Sequence, residues 1–131
     1  MNRVVVDTHA LVWHLSLPKR LGSGARRLLK QADLGKVIVM VPAIVVVELT
    51  LLREAGRRVV GPAEVQALLA QYASFELLPL DLAQATELAL LGSLFDPFDR
   101  LVVAAARALD ATLLTADQRI SESGLARVVW D

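Results

Sequence analysis

Residues 94–117 read LFDPFDRLVVAAARALDATLLTAD, and this stretch decides the fold class. Asp96-Pro97 has the form of a helix start: a carboxylate at the N-cap, then proline at the first helical position, where its missing N–H costs nothing. The apolar-rich run that follows predicts a helix from about Pro97 to Leu109. Ala111 to Thr115 has the length of a buried strand, and Asp117 opens another short helix. Helix, strand and helix in direct succession are the repeating unit of an α/β protein.

The same alternation extends toward both ends. Val4 to Val6 reads as a buried strand, with a short helix over Thr8 to Leu15. Pro18 and Gly22-Ser23-Gly24 mark a loop, with Ser23 as N-cap for a helix from Ala25 to about Leu34 and Gly35 in the C′ position. Lys36 to Val41 (KVIVMV) is a second strand, and Pro42 suits the first turn of a helix from Ala43 to about Ala55. Gly56 and Gly61-Pro62 bracket a turn before a helix from about Ala63 to Ala73. Phe75 to Pro79 is a third strand, Asp81 caps a helix reaching about Leu91, and Arg127 to Trp130 closes the chain as a fifth strand. The expected class is α/β with a parallel sheet, in a single domain spanning residues 1–131.

Five acids fall where these strands end or where helices begin or face them: Asp7, Glu48, Asp96, Asp99 and Asp117. In open α/β folds, ligands bind in the crevice outside the carboxyl ends of the strands. Several carboxylates converging there would repel one another unless a cation neutralised them. Hard divalent cations such as Mg²⁺ take oxygen ligands and keep some of their waters. Each acid also has a structural reading. Asp7, Asp96 and Asp117 stand at N-cap positions, with Asp99 placed as in a capping box. Thr8 can cap the first helix equally well, which leaves Asp7 free for other work. Glu48 is harder to explain structurally. Its neighbours Ile44 to Val47 and Leu49 are all apolar, and Arg53 is five residues away, the wrong spacing for a helical ion pair. Arg100 stands beside Asp99 and could pair with a carboxylate or a phosphate. The Thr115 hydroxyl could orient a water or a neighbouring acid.

Composition narrows the alternatives. The 131 residues are 55% hydrophobic, dominated by the Val, Leu and Ala of doubly covered strands. The longest apolar run, Val37 to Val47, is broken by Pro42 and closed by Glu48, well short of the roughly 20 residues of a membrane span. Asp7 interrupts the only candidate signal sequence, and the absence of cysteine removes disulfides and thiolate metal sites. A cytoplasmic location is expected. The 14 basic and 14 acidic residues balance. The bases cluster at Lys19, Arg20, Arg26, Arg27 and Lys30, and again at Arg53, Arg57 and Arg58. His9 and His14 lack metal-ligand spacing; no nucleophile elbow, Walker loop or dinucleotide fingerprint is present. Trp13, Phe95 and Phe98 read as core or interface residues rather than base-stacking platforms.

Three segments, VVVDTHALVWHL (4–15), VPAIVVVEL (41–49) and LFDPFDRLVVAAARALDATLLTAD (94–117), resemble the PIN-domain family, and within it the VapC-type toxins of toxin–antitoxin pairs. The resemblance covers essentially the whole chain. It implies a three-layer α/β/α fold with a five-stranded parallel sheet in order 3-2-1-4-5. It further implies endoribonuclease activity in an acidic pocket that binds Mg²⁺ or Mn²⁺. Asp7, Glu48, Asp99 and Asp117 match the four family acids, Asp96 an additional acid of the DPFDR branch, and Thr115 the hydroxyl residue near the fourth acid. One departure stands out: Val45 and Val47 occupy positions near Glu48 that often carry a Ser or Thr and a Trp.

The expected activity is therefore metal-assisted hydrolysis of RNA, with Arg100 nearest the pocket among the bases. A homodimer and an antitoxin protein are the expected partners, with no membrane. Two other acidic α/β classes fail by inspection. A signalling receiver wants an acidic pair after the first strand and a Lys after the last; a haloacid-type phosphatase wants DxD where position 9 is His. A non-catalytic PIN-like binding module is the remaining alternative.

Overall fold

The computed structural model describes residues 2–131. Its strands are β1 (Asn2–Val6), β2 (Val37–Pro42), β3 (Phe75–Leu78), β4 (Thr112–Leu114) and β5 (Val128–Val129), and they form a sheet in the order β3-β2-β1-β4-β5. Every neighbouring pair is parallel. The helices are α1 (Thr8–Ser16), α2 (Ser23–Asp33), α3 (Ala43–Glu54), α4 (Pro62–Gln71), α5 (Leu82–Glu87), α6 (Pro97–Leu109) and α7 (Gln118–Ser123). The α/β class and strand order are those expected. Among the described residues no helix is long and apolar enough to cross a membrane.

Successive strand residues point to opposite faces of a sheet. Val4, Val5 and Val6 are all buried, as are Val39, Met40 and Val41. Both faces are therefore covered, which explains the unbroken β-branched runs where a one-sided sheet would alternate. From the helices, Ala10 and Leu11 of α1, Val45 and Leu49 of α3 and Val102 to Ala106 of α6 join the same core.

Boundaries moved where the sequence offered two caps. Ser23 is the first residue of α2 and Gly22 is its N-cap. Pro42 ends β2 and serves as N-cap of α3 instead of entering its first turn. The helix begun at Asp81 ends at Glu87 and tightens into a 3₁₀ turn over Leu88–Leu90. Gly35 does take the C′ position after α2, at φ +73°. Its N–H bonds the Ala32 carbonyl while that of Lys36 reaches Gln31, the paired bonds of a Schellman stop.

Gly22 and Gly24 do more than turn the chain. A Cβ on Gly22 would lie 2.3 Å from the Trp130 carbonyl oxygen, and one on Gly24 would lie 2.9 Å from Asp131 O. The chain leaving β5 is laid directly on the start of α2, where Ala25 N–H bonds the Trp130 carbonyl at 2.9 Å. Bare backbone is what permits that approach.

The sheet order also fixes where the site lies. From β1 the chain builds outward through β2 and β3, then returns to the other side of β1 as β4. The switch point thus falls between β1 and β4. Val6 pairs with Leu114, so Asp7 and Thr115 are the first residues beyond the paired ends. Asp7 N–H still bonds the Leu114 carbonyl at 3.3 Å.

Candidate active site

At that switch point a cleft of about 370 Å³ is lined by Asp7, Thr8, His9, Trp13, Glu48, Asp96, Phe98, Val102, Ala116, Asp117, Asp99 and Arg119. All five expected acids reach it. They arrive from the β1–α1 junction, from α3, from the start of α6 and from the start of α7.

Asp7 is the N-cap of α1: its Oδ1 accepts Ala10 N–H at 2.9 Å. Thr8 therefore does not take the capping role that would have freed Asp7. Capping uses one carboxylate oxygen, and the other accepts the hydroxyl of Thr115. Thr115 is wholly buried, and its oxygen also accepts Asp117 N–H at 3.0 Å. One threonine thus ties together the acids that follow β1 and β4. Burial pushes the Asp7 carboxyl above its usual range, with Asp117 adding to the rise; the bonds from Thr115 and Ala10 and the nearby His9 oppose it.

Thr8 has a different task. Buried beneath α3, it donates its hydroxyl to Glu48 Oε1. This bond explains how a glutamate survives in the apolar run of α3: its position on the helix faces α1, where a hydroxyl waits. It also supplies a polar contact to Glu48 where Val45 and Val47 offer none.

Asp96 caps α6, accepting the N–H groups of Phe98 at 2.8 Å and Asp99 at 3.2 Å. Asp99, one turn in, is pushed up to about 6. Desolvation is the main cause, followed by repulsion from Asp96 and Asp117 and a smaller push from Glu48, against the relief given by Arg119. Asp117 caps α7 through Arg119 N–H at 2.9 Å and Ile120 N–H at 3.4 Å.

The basic partner is not the one expected. The Arg100 guanidinium turns away to the Leu94 carbonyl and to Gly92 O at 3.3 Å, bracing the loop before α6. Arg119 takes its place, with a guanidinium nitrogen 3.3 Å from Asp117 Oδ2 and 3.7 Å from Asp99 Oδ2. The sequence signal was present, since Arg119 stands two residues past an expected ligand, but nothing distinguished it from other surface arginines. Arg20 of the first basic cluster stacks its guanidinium 4.9 Å from the centre of the ring of Trp13, which lines the cleft.

The five carboxylates offer oxygen donors, the kind hard divalent cations take, with the His9 imidazole also on the wall. Among the described residues, no three of these side chains converge on one point as a closed ligand set. The acids crowd one another, with Arg119 beside Asp99 and Asp117 and His9 beside Asp7 as the nearby basic groups. The residues fit a divalent cation.

The fold recurs in solved structures. VapBC2 from Rickettsia felis, bound to a DNA fragment from their promoter, aligns at a TM-score of 0.68 and 17% identity, over 98% of this chain and 99% of that one. A toxin-antitoxin complex from Klebsiella pneumoniae aligns at 0.61 and 19%, over 96% and 95%. FitAcB from Neisseria gonorrhoeae aligns at 0.59 and 22%, over 95% of each chain. At these identities the likeness is one of fold. No curated protein sequence matches the chain significantly. The profile of the family described as PIN domain matches residues 4–124. With that match spanning nearly the whole chain, and the sheet order and acidic switch point in place, this protein belongs to the PIN domain family.

Proposed function

We propose that the chain is a VapC-type toxin: an endoribonuclease that uses Mg²⁺ or Mn²⁺ to hydrolyse RNA phosphodiester bonds and is held in check by a cognate antitoxin. The observation that carries this reading is the convergence of Asp7, Glu48, Asp96, Asp99 and Asp117 from four chain segments on one cleft. Helix capping explains three of them singly and does not explain why they meet.

Asp7 and Asp99 would be the principal ligands, with Glu48 and Asp117 completing the pocket and Asp96 beside them. When bound, the cation supplies Lewis acidity toward a phosphoryl oxygen and toward the attacking water. The chain's own residues do the rest. Thr115 and Thr8 hold the Asp7 and Glu48 carboxylates in fixed orientations through buried hydroxyls, so little reorganisation is left for the moment of reaction. Arg119, already in the cleft, is placed to hold a phosphate beside the scissile bond. Trp13 and Phe98 wall the cleft.

A protein partner is part of the same proposal, as is a homodimer. Supporting a partner is an apolar groove of about 330 Å³ between α3, α4 and β3, lined chiefly by Val46, Val47, Val65, Leu69 and Leu77. Val47 and Leu77 are about half exposed there, as unpartnered interface residues are.

The test is incubation of the purified protein with a pool of structured RNAs, with Mn²⁺ or Mg²⁺ and with chelator, beside a folded Asp99→Asn variant. Cleavage that needs metal and is lost in the variant is the expected result. Equal behaviour of the two proteins would leave the acids as caps and favour a non-catalytic binding module.

A further inference from the structure

Phe95 is 92% exposed, the most exposed of the large apolar side chains among the described residues, on the loop leading into α6. It lies outside the core, against the core-or-interface place that the sequence suggests for it. The groove it lines, about 530 Å³, is otherwise formed by Ser93, Leu94, Asp99, Arg119, Glu122 and Ser123. Asp99 and Arg119 also line the acidic cleft, so the groove and the cleft share a wall. Its size lies within the range of small-molecule sites, about 300–1,000 Å³.

Resting on the nuclease reading above, we infer that this groove is a nucleotide subsite, in which the base next to the scissile phosphate stacks on Phe95. The charge of the groove selects which part of a nucleotide enters. Asp99 and Glu122 oppose a single cation, Arg119, which already faces Asp99 and Asp117. A phosphate would be repelled there, whereas an uncharged base and ribose would not. Every base has a π-face for an aromatic platform, and an unpaired base is free to leave its neighbours and use it. Arg119, on the shared wall, is in position for the phosphate that joins this nucleotide to the scissile bond. The Ser93 hydroxyl and the Glu122 carboxylate are the groups able to meet a base edge. The subsite therefore favours RNA that is single-stranded at the cut. A second copy of the chain is a poorer occupant, because five of the seven lining residues are polar or charged.

The experiment compares wild type, Phe95→Ala and Phe95→Trp, with Mn²⁺, on a single-stranded oligoribonucleotide that wild type cuts at one bond. The same oligonucleotide is also made with an abasic ribose at each flanking position in turn. Phe95→Ala should raise KM roughly tenfold with kcat unchanged, and Phe95→Trp should restore it. In wild type, one abasic position should raise KM by a similar factor; in Phe95→Ala that position should cost nothing further. A structural role would not produce this loss of coupling at one nucleotide. The subsite is overturned if Phe95→Ala matches wild type, or if its penalty adds to that of every abasic position. It is also overturned if sedimentation shows Phe95→Ala breaking a dimer while cleavage stays the same. A wild type that cuts no RNA at all removes the nuclease reading and the subsite with it. A cutting wild type matched by Phe95→Ala removes the subsite alone.

Discussion

Thr115 gives its hydroxyl hydrogen to Asp7, and the same oxygen receives Asp117 N–H at 3.0 Å. A single buried side chain thus joins the ends of β1 and β4 across the switch point. Replacing it by valine keeps the volume and removes both bonds. The Asp7 carboxyl would rise further, because the bond from Thr115 is what most opposes its burial. Thr115→Val should lower unfolding free energy by about 1–3 kcal/mol in urea titrations. Metal affinity or turnover should fall about 10–100-fold, while Thr115→Ser should recover most of both.

The parallel contact predicts that Thr8→Val, which strips the hydroxyl from Glu48, lowers cleavage by about 10–100-fold with the protein still folded. Circular dichroism and a metal titration distinguish this from collapse. If Thr8→Val cleaves like wild type, the Thr8–Glu48 bond has no part in the chemistry.

Asp99 gives a pH dependence whose sign is fixed. Its folded value of about 6 stands above the ordinary 3.8. Between these values the folded protein holds a proton that the unfolded chain has lost, so this group's contribution to stability falls as pH rises through the window. Asp99→Asn removes the contribution. In the absence of divalent ions, the variant's melting temperature should match wild type near pH 4 and exceed it by a growing margin up to pH 6–7. Mn²⁺ should close that gap by stabilising wild type more. A margin that does not change with pH would show that Asp99 is not crowded by its neighbours.

Arg119 shields Asp99 and Asp117 and, by its charge, opposes a cation in the same cleft. Arg119→Gln should therefore bind Mn²⁺ several-fold more tightly by calorimetry, yet show a higher KM for RNA. Arg100→Gln should affect neither in this way, because Arg100 braces the backbone at Leu94 and Gly92.

Gly22→Ala tests the packing of the chain end. Its Cβ would meet backbone atoms of Trp130 at 2.3–2.6 Å, which have no flexible side chain to move aside. A loss of about 1–3 kcal/mol is expected, with the neighbourhood of Trp13 perturbed through its contact with Trp130. Indole fluorescence during urea unfolding would report both.

Much of the architecture was legible because it is local. Unbroken Val and Leu runs mark strands covered on both faces, and proline, glycine and capping acids mark the breaks between them. Gly35 is legible as a helix stop from its position, since few residues other than glycine tolerate φ +73°. Ser23 and Pro42 were displaced by one residue because Gly22 or Pro42 itself could serve as the cap. The strand order came from the resemblance of DTHALVW and DPFDRL to a family and not from periodicity, which carries no information on which strands pair.

The sequence by itself determined the alternation of elements and put an acid at the end of β1, in α3 and at the starts of α6 and α7. Those are short-range properties, set by backbone preference and the spacing of apolar residues. Only the tertiary structure decided that Thr8 serves Glu48, that Thr115 serves Asp7, that Arg119 and not Arg100 faces the acids, and that Phe95 stands in water beside them. Each of these depends on where side chains from distant segments point once the sheet twists and the helices pack. A hydroxyl or guanidinium takes whichever partner that packing brings within about 3 Å.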